Sequence, residues 1–179
     1  MRKATILSLL VLCAATSAFA QRTPEPDVVP TEKEIKSFEA AKVSLAEAIK
    51  IAAKKHKDAK VVDVSFDSQA GQLAYKVKTY QDNKVWEGAV DAWTGQILGE
   101  GTTTPVSKLD EEDQLELAAL QKASIDLSAA TALAEQRGSG KAIAAGLEES
   151  NGRVVYEVTI VNNGATTKFV IDPKSGQFK

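Results

Sequence analysis

Val62, Val64 and Phe66 alternate with Asp63, Ser65 and Asp67, and Leu73, Tyr75 and Val77 alternate with Ala74 and Lys76. Trp86, Gly88 and Val90 continue the pattern. A period of two predicts three strands, each with one face toward a core. Upstream, Leu45, Ala48, Ile49 and Ala52 recur at the spacing of an amphipathic helix. Ser44 and Glu47 frame its start as a capping box, the Ser hydroxyl accepting from the first turn while the Glu carboxylate reaches back. Gly71, Asn83, Asn151-Gly152 and Asn163-Gly164 mark hairpin turns. The predicted unit is a helix followed by a three-stranded antiparallel meander.

That unit occurs twice. KVSLAEAI (42–49) matches SIDLSAAT (124–131) at an offset of 82. GQLAYKV (71–77) matches GRVVYEV (152–158), and AVDAWTGQI (89–97) matches VIDPKSGQF (170–178), both at 81. The one-residue slip falls where KKHKDAK is replaced by QRGSGK, in a loop, where length changes are tolerated. EIKSFEAAK (34–42) and ELAALQKAS (116–124) extend the match upstream. In the second copy Asp126 caps, Leu127, Ala130, Leu133 and Ala134 form the stripe, and Gly138 ends the helix. The predicted layout is a repeat at 31–98, a linker at 99–112 and a repeat at 113–179. Units this small bury little apolar area alone. The expected fold class is therefore α+β: two tandem repeats, each a helix packed on a three-stranded antiparallel sheet, pseudo-twofold related. The segment LDEEDQLELAALQK is expected to form a polar-led helix bridging them.

Asp91 and Asp172 follow the last apolar residues of a strand, with Gly95 and Gly176 four residues on. A turn-starting Asp hydrogen-bonds the backbone just ahead of it, and the Gly supplies the positive φ that reverses the chain. The motif predicts a tight turn rather than a ligand site, since its spacing is not that of a calcium loop. With these elements in place, the chain resembles the PepSY domain family. VSLAEAIKIA, KVVDVSF, GQLAYKV and AVDAWTGQIL carry the resemblance, echoed by IDLSAATALAE, KAIAAGLEE, GRVVYEV and FVIDPKSGQF. The second copy departs in lacking the capping-box Glu and in having Pro173 in its turn. PepSY domains are α+β modules of secreted metallopeptidase propeptides and of envelope proteins. The resemblance implies peptidase inhibition or regulation, or more loosely protein binding, and brings no catalytic residues with it.

The first twenty residues change where the protein is expected to reside. Arg2 and Lys3, the apolar run Ile6–Ala15 and Ala18-Phe19-Ala20 read as a secretory signal with cleavage after Ala20. A lipoprotein signal at Cys13 is the weaker alternative, because Leu12 stands where a small residue is wanted. QRTPEPDVVP (21–30) reads as a disordered tether. The chain has 22 basic and 24 acidic residues, and losing Arg2 and Lys3 leaves a net charge of −4. No basic stripe invites nucleic acid or an anionic membrane surface. No later segment is long enough to cross a bilayer. The only cysteine departs with the signal, removing disulfide and thiolate chemistry. The expected location is periplasmic or secreted.

Candidate chemistry is sparse. His56, the sole histidine, sits in KKHK at a helix end, where a solvated basic cluster favours the helix dipole. One His and no Cys in the mature chain are a poor zinc set, and no phosphate loop or nucleophile elbow is present. The expectation is no catalytic residue, no metal and no cofactor. A binding surface remains. On the outer sheet face of the second copy, Val155, Val161 and Val170 stand where a solvated face should be polar. They are expected to meet either a partner or the other repeat. Trp93, in the turn where the second copy has Lys174, is a candidate anchor unless it folds back over its sheet. Trp86 is expected in the core. The expected function is a non-enzymatic module binding an envelope or secreted protein, a peptidase among the candidates. The alternatives are a structural envelope protein or a carrier holding a small apolar ligand between helix and sheet.

Overall fold

The computed structural model describes residues 30–57, 59–68, 72–150 and 152–179. The predicted signal peptide, and all of the predicted tether but Pro30, lie outside the described residues. The elements run α1 (Glu32–Glu39), α2 (Leu45–Lys55), β1 (Lys60–Asp67), β2 (Ala74–Gln81), β3 (Lys84–Asp91), β4 (Ile97–Pro105), α3 (Glu111–Lys122), α4 (Leu127–Gly138), β5 (Lys141–Ser150), β6 (Arg153–Asn162) and β7 (Ala165–Ile171). All seven strands form one antiparallel sheet in the order β4-β3-β2-β1-β5-β6-β7.

The α+β class and the helix–meander order agree with the hydrophobic periods. The separate three-stranded sheets do not. β1 pairs with β5, so the two meanders merge edge to edge into one sheet. The first half also carries a fourth strand, β4, formed by residues assigned from position 99 onward to the linker. β4 is an exposed edge strand, so it needs only ladder bonds to β3 and shows no apolar alternation.

Several of the predicted local signals are present, whereas the turn residues Gly71 and Asn151 lie outside the described residues. Ser44 N donates to Glu47 Oε2 (2.8 Å) and Glu47 N to Ser44 Oγ (3.2 Å), closing the capping box. Asp126 caps α4, its Oδ1 accepting from Ala129 N at 2.8 Å. α4 runs through Gly138, and it is Ser139 that takes the left-handed cap conformation (φ 49°). Asp82-Asn83 and Asn163-Gly164 carry positive φ in two-residue hairpins.

The repeat extends to irregularities of the strands. β1 bulges between Val61 and Asp63, and β5 between Ala142 and Ala144, the same site at an offset of 81. Tyr75 Oη donates to the Val43 carbonyl (2.7 Å), and Tyr156 Oη to the Ile125 carbonyl (3.0 Å). Buried side chains of both halves, from Ile35 and Phe38 to Ile160 and Ile171, form one continuous core cluster.

Candidate functional site

The repeated turn is a structural clasp. Asp91 Oδ1 accepts from Trp93 N (2.9 Å) and Thr94 N (2.7 Å), while Gly95 at φ 72° lets its own N–H return to the Asp91 carbonyl. Asp172 accepts in the same way from Lys174 N and Ser175 N, both at 3.0 Å. These amides, first that of Ser175, and Lys179 hold the Asp172 carboxyl down at about 2. Next in the chain, the Ala92 carbonyl accepts from Lys42 N and Val43 N, and the Pro173 carbonyl from Ser124 N and Ile125 N. Each turn thus ties the end of a strand to the start of the helix that packs over it.

The four candidate binding residues have separate fates. Trp93 remains at the surface, 51% exposed, with Lys42 Nζ 4.2 Å from its ring centroid. It therefore does not fold back over its sheet. Val155 and Val161 are buried at 6% and 5%, and Val170 is half-buried. Across the ladder Val155 faces Glu148, while Lys141 and Thr166 flank Val161, and α3 lies against β5 and β6. The outer face of the second half is thus partly covered from within the chain. Among the described residues, Leu115 of α3 is the other large apolar side chain that stays exposed.

His56 is not solvated as expected. Its ring lies 5.1 Å from that of Trp86, and its Nε2 is buried without a hydrogen-bond partner. Trp86 is in the core, as predicted, at 4% exposure. Its indole lies across the bare backbone of Gly88 and Gly101, and Nε1 donates to the Glu100 carbonyl at 2.9 Å. β4 supplies both that acceptor and one of those glycines.

A charged cluster escaped the sequence reading. On the face opposite Val64 and Val77, Asp63 lies across from Lys78, and Lys78 across from Glu87. The first turn of α3 reaches this face, where Asp113 Oδ1 accepts from Lys78 Nζ at 3.2 Å. Burial raises the Asp63 carboxyl to about 7, with Glu148 and Glu87 adding to the rise and Lys78 opposing it. Burial, then Glu148 and Asp113, raise Glu116 to about 8. Alternating polar positions in β1 did not reveal this, because the groups around Asp63 come from other strands, Lys78 of β2, Glu87 of β3 and Glu148 of β5. No group of three or more His, Cys, Asp or Glu among the described residues is placed to hold a metal ion.

The two halves differ most at a pair of twofold-related clefts. One lies between α2, the start of β1 and the α3–α4 junction, and encloses about 500 Å³. Its counterpart, between α4, the start of β5 and the α1–α2 junction, encloses about 50 Å³. Nine of the ten residues lining the small cleft have repeat counterparts lining the large one, at offsets of 82 in the helices and 81 in the strands. In the small cleft Glu135 Oε1 accepts from Ala142 N at 3.0 Å. In the large one Ala53 takes the place of Glu135 and Val61 that of Ala142. The Glu135/Ala53 difference is visible once the repeats are aligned, but its consequence needed the packing. The volume lies within the range of small-ligand sites, roughly 300–1,000 Å³.

Two helix–meander units, each clasped by its Asp turn, define a tandem α+β module. The chain belongs to the PepSY family, described as Peptidase propeptide and YPEB domain, which it matches over residues 42–100 and 124–178. No curated protein matches it. A solved structure of a lipoprotein candidate from Clostridium difficile 630 is 26% identical, over 78% of this chain and 91% of that one. Its TM-score of 0.43 does not establish a shared arrangement of the whole chain. No helix among the described residues is long and apolar enough to cross a membrane.

Proposed function

We propose that this protein is an exported, non-catalytic binding module whose partner is a secreted or envelope protein, with a peptidase as the first candidate. Kinship with the peptidase-propeptide family motivates the partner class. The observation that carries the reading is Trp93. Half of its surface faces water, on a turn made stiff by the Asp91 hydrogen bonds and under the Lys42 ammonium. The other half of the molecule closes the same turn with Lys174, so the fold does not require an aromatic there. A large side chain held rigid before contact loses little entropy on binding, which is what makes tryptophan an effective anchor.

The test is cross-linking in the native envelope with wild type and Trp93→Ala, followed by identification of captured proteins and a peptidase assay on the purified pair. Trp93→Ala should keep the wild-type melting temperature within about 0.5 kcal/mol of stability and lose the captured protein. Capture of the same peptidase by both forms would remove Trp93 from the interface. A wild type that captures nothing above background would sink the partner reading. The carrier reading has its own support in the 500 Å³ cleft.

A further inference from the structure

Glu135 shows what the larger cleft lacks. At the bulge of β5 the Ala142 amide bonds outside the ladder, and the chain satisfies it with its own carboxylate. β1 bulges at the same site with the same register, so Val61 is the repeat counterpart of Ala142, and it lines the larger cleft as Ala142 lines the smaller. No carboxylate follows, because Ala53 ends at Cβ. The charges around the opening favour an anion: Lys50 and Lys60 both line it. Lys60 Nζ is placed over the site by the Leu120 carbonyl at 3.3 Å. Asp126, the acid on the rim, is engaged in capping α4. The remaining wall is mostly apolar, with Ile49, Leu120, Ile125 and Leu127 beside Ser124 and Ser128.

We propose that the cleft binds a carboxylate carried on an apolar chain, the carboxylate accepting from the Val61 amide and the Lys60 ammonium while the chain lies against Ile49, Ile125 and Leu127. An N–H bond to a charged oxygen is stronger than a neutral one, and the apolar wall rewards the attached chain rather than a free small anion. A peptide C-terminus and a fatty acid share this chemistry. The site does not depend on the Trp93 interface, being built from different elements.

The experiment follows the Val61 and Ala142 amide resonances of the exported chain during titration with three probes: N-acetyl-trileucine, its C-terminal amide, and decanoate. At least one acid should shift the Val61 amide downfield, and N-acetyl-trileucine should bind at least tenfold more tightly than its amide if peptides are the source. Binding of decanoate alone assigns the source to acyl chains. Ala53→Glu supplies the missing carboxylate, so its Val61 amide should already be downfield and bind no probe. Glu135→Ala should move the Ala142 amide upfield in the absence of any probe, since it removes the carboxylate that this amide donates to. Lys60→Gln, at an exposed position, should weaken the acids at least threefold while the melting temperature shows whether loss of the Leu120 bond disturbs the fold. The proposal is overturned if acid and amide bind equally, if neither acid moves the Val61 amide, or if Ala53→Glu binds as wild type does.

Discussion

Val64 of β1 lies directly opposite Ala145 of β5, 81 residues later and at the same position of its own repeat. Asp63 pairs with Gly146 and Ser65 with Ala144 on either side. The pseudo-twofold axis therefore passes through the Val64–Ala145 pair, and three ladder pairs join the strands of the two halves. Val64 is wholly buried and Ala145 nearly so, which places the seam inside the core.

Gly146 should tolerate no side chain. A Cβ built there runs into the carboxylate of Asp63, a buried group flanked by β2 and β5. Gly146→Ala is expected to lower stability by about 1–3 kcal/mol through overpacking, read as a drop in the urea midpoint. An unchanged midpoint would mean that β1 and β5 are not in the described register.

The halves should unfold together. Both tryptophans, Trp86 and Trp93, lie in the first half, so their fluorescence reports that half alone. Tyr156→Phe removes the hydroxyl that serves the Ile125 carbonyl in the second half and should cost about 1–2 kcal/mol. Because one core and one sheet span both halves, the tryptophan transition should shift by the same amount as the circular-dichroism transition. A tryptophan transition that ignores Tyr156→Phe would show two independent domains.

Stability should fall as pH rises through neutrality. Asp63 and Glu116 have folded pKa values near 7 and 8, above their ordinary values of 3.8 and 4.5. Between the ordinary and raised values the folded state keeps protons that the unfolded state has released, so the slope of stability against pH is negative there. Below pH 4 both states are protonated and the effect vanishes. Asp172, held down near 2, acts oppositely: its contribution is present above about pH 4 and is lost as pH falls toward 2. Melting curves from pH 4.5 to 8.5 should show Asp63→Asn stabilising at pH 8.5 and close to neutral at pH 4.5. An equal effect at both ends would remove titration as the cause.

Gly101 should be needed by Trp86 rather than by β4 alone. It has φ 70°, and a Cβ there meets the indole ring and the Glu87 carbonyl. Gly101→Ala should cost about 1–3 kcal/mol and, in a Trp93→Phe background, move Trp86 emission to longer wavelength. Gly99, also at positive φ but with open space around its Cβ position, separates backbone strain from the clash. If Gly99→Ala is as damaging as Gly101→Ala, the contact with Trp86 is not the reason.

Local chemistry in the sequence determined the helices α2, α3 and α4, the first three strands of each half, the capping box, the Asp turns and the repeat itself. Those features depend on periods of two and 3.6 residues and on side chains bonding backbone within a few positions, so a short window carries them. The tertiary structure decided what lies beyond that range. β4 has no apolar alternation, since an edge strand is held by the backbone of β3 and by the indole lying on Gly101. The β1–β5 seam rests on three residue pairs with no local signature. Val155 and Val161 sit at positions of outer-face pattern, yet they are buried within the chain. Glu135 and Ala53 are both unremarkable helix residues in sequence. Only when the strands and helices come together does Glu135 meet the Ala142 amide in the smaller cleft while Ala53 lines the larger one. Neighbours along the chain set which surface each element turns inward, whereas the contents of that surface depend on residues brought from 60 to 80 positions away.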